Sequence, residues 1–204
     1  MKTKECKRCG TCCKKGGPSL HIEDMGIIVD GHIPAGHLYT IRKGEPVRDD
    51  IAGEIIYAPS DIIKIKGRGK SWRCFYYNDD EKECGIYRYR PLECRVLKCW
   101  DTNDIEDIYG KGLLSRKDLI GGIAGLWELV ADYDEKCSYE EIKKIISKGD
   151  MRKQERLSKK TAELIEYDKT IRELVVKKGN LDSELLDFLF GRPLTVTLKR
   201  LVLI

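Results

Sequence analysis

The chain has 204 residues, of which 41% are hydrophobic and 35% charged, with a formal net charge of +4. That suffices for one sizeable core, or for a small metal-stapled lobe beside a helical one, and it excludes wholesale disorder. So slight a charge excess makes nucleic acid an unlikely partner, and no apolar run is long enough to span a membrane.

In chain order, Cys6, Cys9, Cys12 and Cys13 open the sequence as C-x2-C-x2-C-C, and Gly16-Gly17-Pro18 closes that loop. His21 to Val29 reads as a short helix, and Ile55-Ile56-Tyr57 and Ile63 to Lys66 as short strands, the latter by apolar/polar alternation. Cys74 to Tyr77 and Gly85 to Tyr87 flank the charged turn Asn78-Asp79-Asp80, which predicts a hairpin. Pro91 fits the first position of a helix carrying Cys94. Ile120, Ile123, Trp127, Val130 and Ala131 recur at helical spacing, with Leu126 and Leu129 widening the apolar surface, so this segment is expected to be buried on most sides. Ser138 to Glu141 is a capping box that opens a helix ending near Gly149. Met151 to Lys178 reads as one long amphipathic helix with Leu157, Leu164 and Ile171 on its inner face. Ser183 to Phe190 reads as a last helix closed by Gly191, and Leu194 to Leu198 alternates like a strand or arm able to pair with another chain.

Eight of the nine cysteines fall into two groups, the N-terminal four and Cys74, Cys84, Cys94 and Cys99. Short regular spacings let several thiolates converge on one centre, as a small cation requires. Met1 to Glu5 has no apolar stretch, so no secretory signal is expected and the predicted location is cytoplasmic. Reducing conditions there favour metal over disulfides. Cys6, Cys9 and Cys12 follow the three-ligand run of ferredoxin-type clusters. Iron–sulfur is therefore favoured over zinc, although eight cysteines divide equally well into two four-cysteine zinc sites or two [4Fe–4S] clusters. Such clusters would bring the net charge near zero. Adjacent side chains diverge, so Cys12 and Cys13 are expected to serve neighbouring centres, or one of them to stand behind the ligands. Helix N–H groups, Arg90 and Arg95 are expected to lower the Cys94 pKa. Cys99 is off the face of Cys94, and Trp100 is a candidate hydrophobic lid.

The run Cys6-Lys7-Arg8-Cys9-Gly10-Thr11-Cys12-Cys13, with Cys74 and the stretch from Cys84 through Arg90-Pro91-Leu92-Glu93-Cys94-Arg95, resembles the CxxCxxCC cysteine-cluster family (YkgJ-like). The resemblance covers about the first half of the chain and implies zinc or iron chelation. Longer relatives include flagellin lysine-N-methylases, but no Gly-rich loop for a methyl donor is visible here, so that activity does not carry over.

Other residues read more plainly. Cys137 stands alone as a small buried or half-exposed thiol, with a ninth ligand as the alternative. His21, His32 and His37 take capping or surface roles, and Tyr87 and Tyr89 pack the core and hairpin. Arg90, Arg95 and Lys98 balance cluster charge, dock an acidic redox partner, or form simple surface salt bridges. Glu54, Asp61 and Asp101 have no nucleophile or base beside them and default to solvent. Between Arg152 and Lys178, nine Lys/Arg face five Asp/Glu, which reads as a solvated face.

The expected fold class is α+β: a small irregular cysteine-ligated lobe with short strands, residues 1–101, followed by an all-helical lobe, 102–204. The expected function is iron–sulfur binding for electron transfer or redox sensing in a cytosolic complex with a protein redox partner, as an oxidoreductase component if it is enzymatic. A zinc-stabilised interaction module and a cluster-dependent protein-modifying enzyme are the alternatives. The expected ligands are Cys6, Cys9, Cys12, Cys13, Cys74, Cys84, Cys94 and Cys99.

Overall fold

The alternation around Ile63-Lys64-Ile65 does make a strand, and its partner is an apolar one, Leu38–Ile41. The computed structural model describes Cys6 and residues 9–69, 71–146 and 151–201; for 145–146, 151–158 and 199–201 only the backbone is described. Among these residues the order is α1 (Thr11–Lys15), α2 (Met25–Val29), β1 (Leu38–Ile41), β2 (Pro46–Arg48), β3 (Ile55–Tyr57), β4 (Ile62–Ile65), β5 (Tyr77–Asn78) and β6 (Glu83–Cys84). Ten helices in all are described, the rest being α3 (Leu92–Val96), α4 (Asn103–Ile108), α5 (Arg116–Ile120), α6 (Leu126–Lys136), α7 (Tyr139–Ile146), α8 (Met151–Lys177), α9 (Leu186–Phe190) and α10 (Leu194–Leu201). The fold is α+β, with short antiparallel strands in the first half and helices in the second.

The strands form three antiparallel pairs, β1 with β4, β2 with β3 and β5 with β6. In the first, Leu38 faces Ile65 and Ile41 faces Ile62. Every residue of β1 is buried, because α9 covers it and the Thr40 hydroxyl donates to the Phe188 carbonyl at 2.6 Å. One apolar core runs from Leu20, Ile33, Leu38, Ile63 and Ile65 into Val130, Tyr133, Phe188 and Phe190. Residues on both sides of position 101 therefore leave water together, at roughly 25 cal/mol for each Å² of apolar surface.

Several expectations are corrected. Leu194 to Leu198 is not a strand but the start of α10, because Leu194 and Leu198 stand four apart and both are buried. The Leu194 N–H is held by Asp168 at 2.9 Å, which fixes this helix start. The hairpin pairs only Tyr77–Asn78 with Glu83–Cys84, and Tyr87–Tyr89 forms a 3-10 turn instead of a strand. Residues 120–131 are not buried on most sides. Gly121 to Gly125 is an exposed break, and only Val130 and Tyr133 of α6 are fully buried. Tyr87 and Tyr89 are exposed rather than core, Tyr89 stacking on His32 and Tyr87 lying under Arg90. The end of the helix near Gly149 and the side chain of Leu157 lie outside the described residues.

A second layer of order is ionic. Arg116, 1% exposed, donates to Asp61 at 2.7 Å, to both oxygens of Asp134 and to the Leu189 carbonyl at 2.6 Å. Asp61 is thus the half-buried partner of a buried arginine, against the expectation of a solvated carboxylate. Arg172 and Asp168, one helical turn apart on α8, face inward instead of joining a solvated stripe. Asp168 also accepts the Tyr133 hydroxyl, and Arg172 also donates to the Gly191 carbonyl. Gly191 has φ 71 and lies against Thr40 and Arg42, a close approach that glycine permits.

Candidate metal centre

Gly10 sets the geometry of the first cysteine run. Its φ of 73 is left-handed, and an added Cβ would fall 2.0 Å from the Tyr77 hydroxyl. The chain turns there into α1, which carries Cys12 and Cys13, while Tyr77 belongs to the hairpin that carries Cys84. The Cys74 N–H donates to the Cys13 carbonyl at 2.8 Å, stitching the two cysteine segments together through their backbones. Asp79, in the hairpin turn, pairs with both Lys14 and Arg73. None of these contacts follows from cysteine spacing. The acidic turn between two β-prone runs was the available signal for Asp79.

Cys94 arrives from another direction. Pro91 precedes α3, so Cys94 is the third residue of that helix, and the helix ends at Val96 before Cys99. The start of α3 is pinned by two acids. Asp24, fully buried, accepts the Leu92 N–H at 2.8 Å, and Glu93 accepts the Ser19 N–H at 2.7 Å. His21 has its Nε2 3.6 Å from Glu93, and His37 hydrogen-bonds the Tyr76 hydroxyl at 2.7 Å.

These segments bring Cys12, Cys13, Cys74, Cys84 and Cys94 within electrostatic reach of one another. The Cys12 and Cys13 sulfurs are 4.0 Å apart, so the expected divergence of adjacent side chains is not found. That separation is close to the edge, about 3.8 Å, of a tetrahedral thiolate site. A hydrogen bond from Cys13 lowers Cys12 to about 6 and raises Cys13 in turn. Burial raises Cys74, and the charges of Cys84 and Cys12 raise it further. Burial likewise raises Cys84, while Arg90 opposes it. Cys94 is driven well up by burial, then by Cys74, Cys84 and Cys12. This corrects the expected lowering at Cys94, because Arg95 turns away to Asp24 and to the Arg90 carbonyl.

Cys9 is exposed, and a hydrogen bond with Thr11 at 3.2 Å lowers its pKa, with Cys12 acting against that. Cys6 and Cys99 are exposed. Trp100 is 41% exposed, and Lys98 pairs with Asp104. Cys137 is fully buried elsewhere, its carbonyl accepting from Arg42 at 3.1 Å.

Thiols crowded in this way suit a cation. Each raises its neighbours' cost of ionising, and a bound metal ion removes that cost by replacing the protons. A set of sulfurs is a donor chemistry that suits thiophilic zinc and iron–sulfur centres. Among the described residues, no three His, Cys, Asp or Glu side chains already stand in a geometry that could hold an ion. Ligation therefore asks the sulfurs to close in further.

No helix among the described residues is long and apolar enough to cross a membrane. No curated protein and no solved structure matches the chain. A family model does, over residues 5–109, a span that takes in both cysteine groups. The chain belongs to the CxxCxxCC family, described as a putative zinc- or iron-chelating domain.

Proposed function

We propose that Cys12, Cys13, Cys74, Cys84 and Cys94 are the heart of an iron–sulfur site used for electron transfer or redox sensing. Cys6, Cys9 and Cys99 complete the ligand set, so that the eight thiolates hold [4Fe–4S]-type centres. The observation that carries this reading is the meeting of α1 with the Cys74 segment through the Cys13 carbonyl, which draws sulfurs from both groups to one locality. The close pair Cys12 and Cys13 supports their serving one centre instead of two. Functionally the chain divides near residue 101, with ligands before it and a helical surface after it that docks a protein redox partner in the cytosol.

Iron–sulfur chemistry would supply one-electron transfer at a potential set by sulfur hydrogen bonds and exposure. The exposed Cys9 and Cys99 would put the centre near the surface, where a partner can approach. The test is elemental and sulfide analysis of protein purified without oxygen. Iron and acid-labile sulfide in matching amounts, with absorbance near roughly 400 nm that bleaches on reduction, is the expected result. Colourless protein with stoichiometric zinc would overturn the redox reading and leave a zinc-stabilised interaction module in its place.

A further inference from the structure

Away from the cysteines, a cleft of about 580 Å³ opens between the end of β1, the start of β4, the side of α6 and the beginnings of α5 and α7. Its volume falls within the range of small-molecule sites. Among the described residues, no cysteine lines it.

Arg42 forms part of its wall and is 2% exposed. Its guanidinium lies between the rings of Tyr133 and Tyr139, at 4.8 and 4.7 Å. Nη1 is used, donating to Asp134 at 3.2 Å and to the Cys137 carbonyl at 3.1 Å. Among the described residues, Nε and Nη2 are buried with no hydrogen-bond partner in good geometry, the Tyr139 side chain being their neighbour. An arginine presents a fork of donors matched to oxyanions, and leaving buried donors unpaired is costly.

Two carboxylates of the cleft are already engaged, since Arg116 holds Asp61 at 2.7 Å and Asp134 at 2.5 Å; the third, Glu140, is exposed and only 4.0 Å from Lys43, which leaves that lysine open to a ligand. Lys117 lines the cleft and makes no ion pair with another described residue. The first turn of α7 begins at Tyr139, so its leading N–H groups add positive potential at the same wall. Trp127 supplies a flat apolar side.

We propose that this cleft binds a small soluble molecule through an oxyanion, phosphate or carboxylate, held by Arg42, Lys43, Lys117 and the start of α7. This ligand site is separate from the metal site. The exposed lysines can be changed without disturbing the buried arginines.

The experiment is equilibrium dialysis of the full metal-loaded chain against radiolabelled inorganic phosphate, and in parallel against radiolabelled acetate, at fixed ionic strength. Saturable binding of either ion is expected, weakened about tenfold by Lys117→Ala and by Lys43→Ala with the melting temperature unchanged. The better-bound ion identifies the oxyanion. Non-saturable uptake of both ions, or saturable uptake that neither substitution weakens, would overturn the proposal.

Discussion

The cysteine face and the arginine-held interior solve the same problem in opposite ways. Arg116, Arg172 and Arg192 are buried or nearly so, and the chain's own groups answer them: Asp61 and Asp134, Asp168, and Glu45. On the cysteine face, the charges of Cys12, Cys74, Cys84 and Cys94 each oppose a neighbour's ionisation, and Arg90 acts against this at Cys84. Those three arginines are answered from within the fold, whereas on the proposed reading the cysteine face is completed by a cation from outside. The apolar core agrees with this division. It runs through β1, β4, α6 and α9 but reaches the cysteine segments chiefly at Cys74 and Tyr77.

The contrast can be broken on the arginine side first. Arg116→Ala leaves Asp61 and Asp134 without their buried partner, and a loss of about 3–5 kcal/mol is expected. Urea unfolding followed by circular dichroism measures it, and a change within the scatter of surface substitutions would mean that the network is ornamental. Gly10→Ala attacks the other side. The left-handed backbone and the displaced Tyr77 ring together should cost about 3 kcal/mol. Metal per chain should fall with it, which distinguishes a loosened site from a merely softened fold.

The smallest effect concerns Cys137, the thiol that belongs to the arginine region. Burial lifts its pKa from 9.0 to about 11, against the pull of Arg42. A raised folded pKa means that stability is whole below pH 9 and is lost as pH climbs toward 11. About 2 kcal/mol of that decline should disappear in Cys137→Ala, read from denaturant midpoints at several pH values. If the slope is unchanged, Cys137 is not the group being titrated.

Much of this was legible in the residue pattern. The strands at Ile55–Tyr57 and near Ile63, the long helix α8 and the helix after Pro91 each follow from local period or capping, which act over a few residues. The cysteine groups were equally plain, since ligand spacing is a local property. What escaped was everything set by long-range pairing. Asp61 and Arg172 look like surface charges until Arg116 and Asp168 are brought to them from other elements or the inner side of a helix. Leu194 to Leu198 alternates like a strand, but the Asp168 carboxylate holds its first N–H and Leu194 and Leu198 are buried one helical turn apart. The sulfur pair at Cys12 and Cys13 depends on α1, a helix too short for periodicity to reveal.

The central claim is that metal holds the cysteine face while the remainder stands without it. Amide hydrogen exchange before and after chelation tests this most directly. Loss of protection in residues 11–15 and 74–96, with α6, α9 and β1 still protected, is the result predicted. Uniform loss across the chain, or no change in either region, would contradict it.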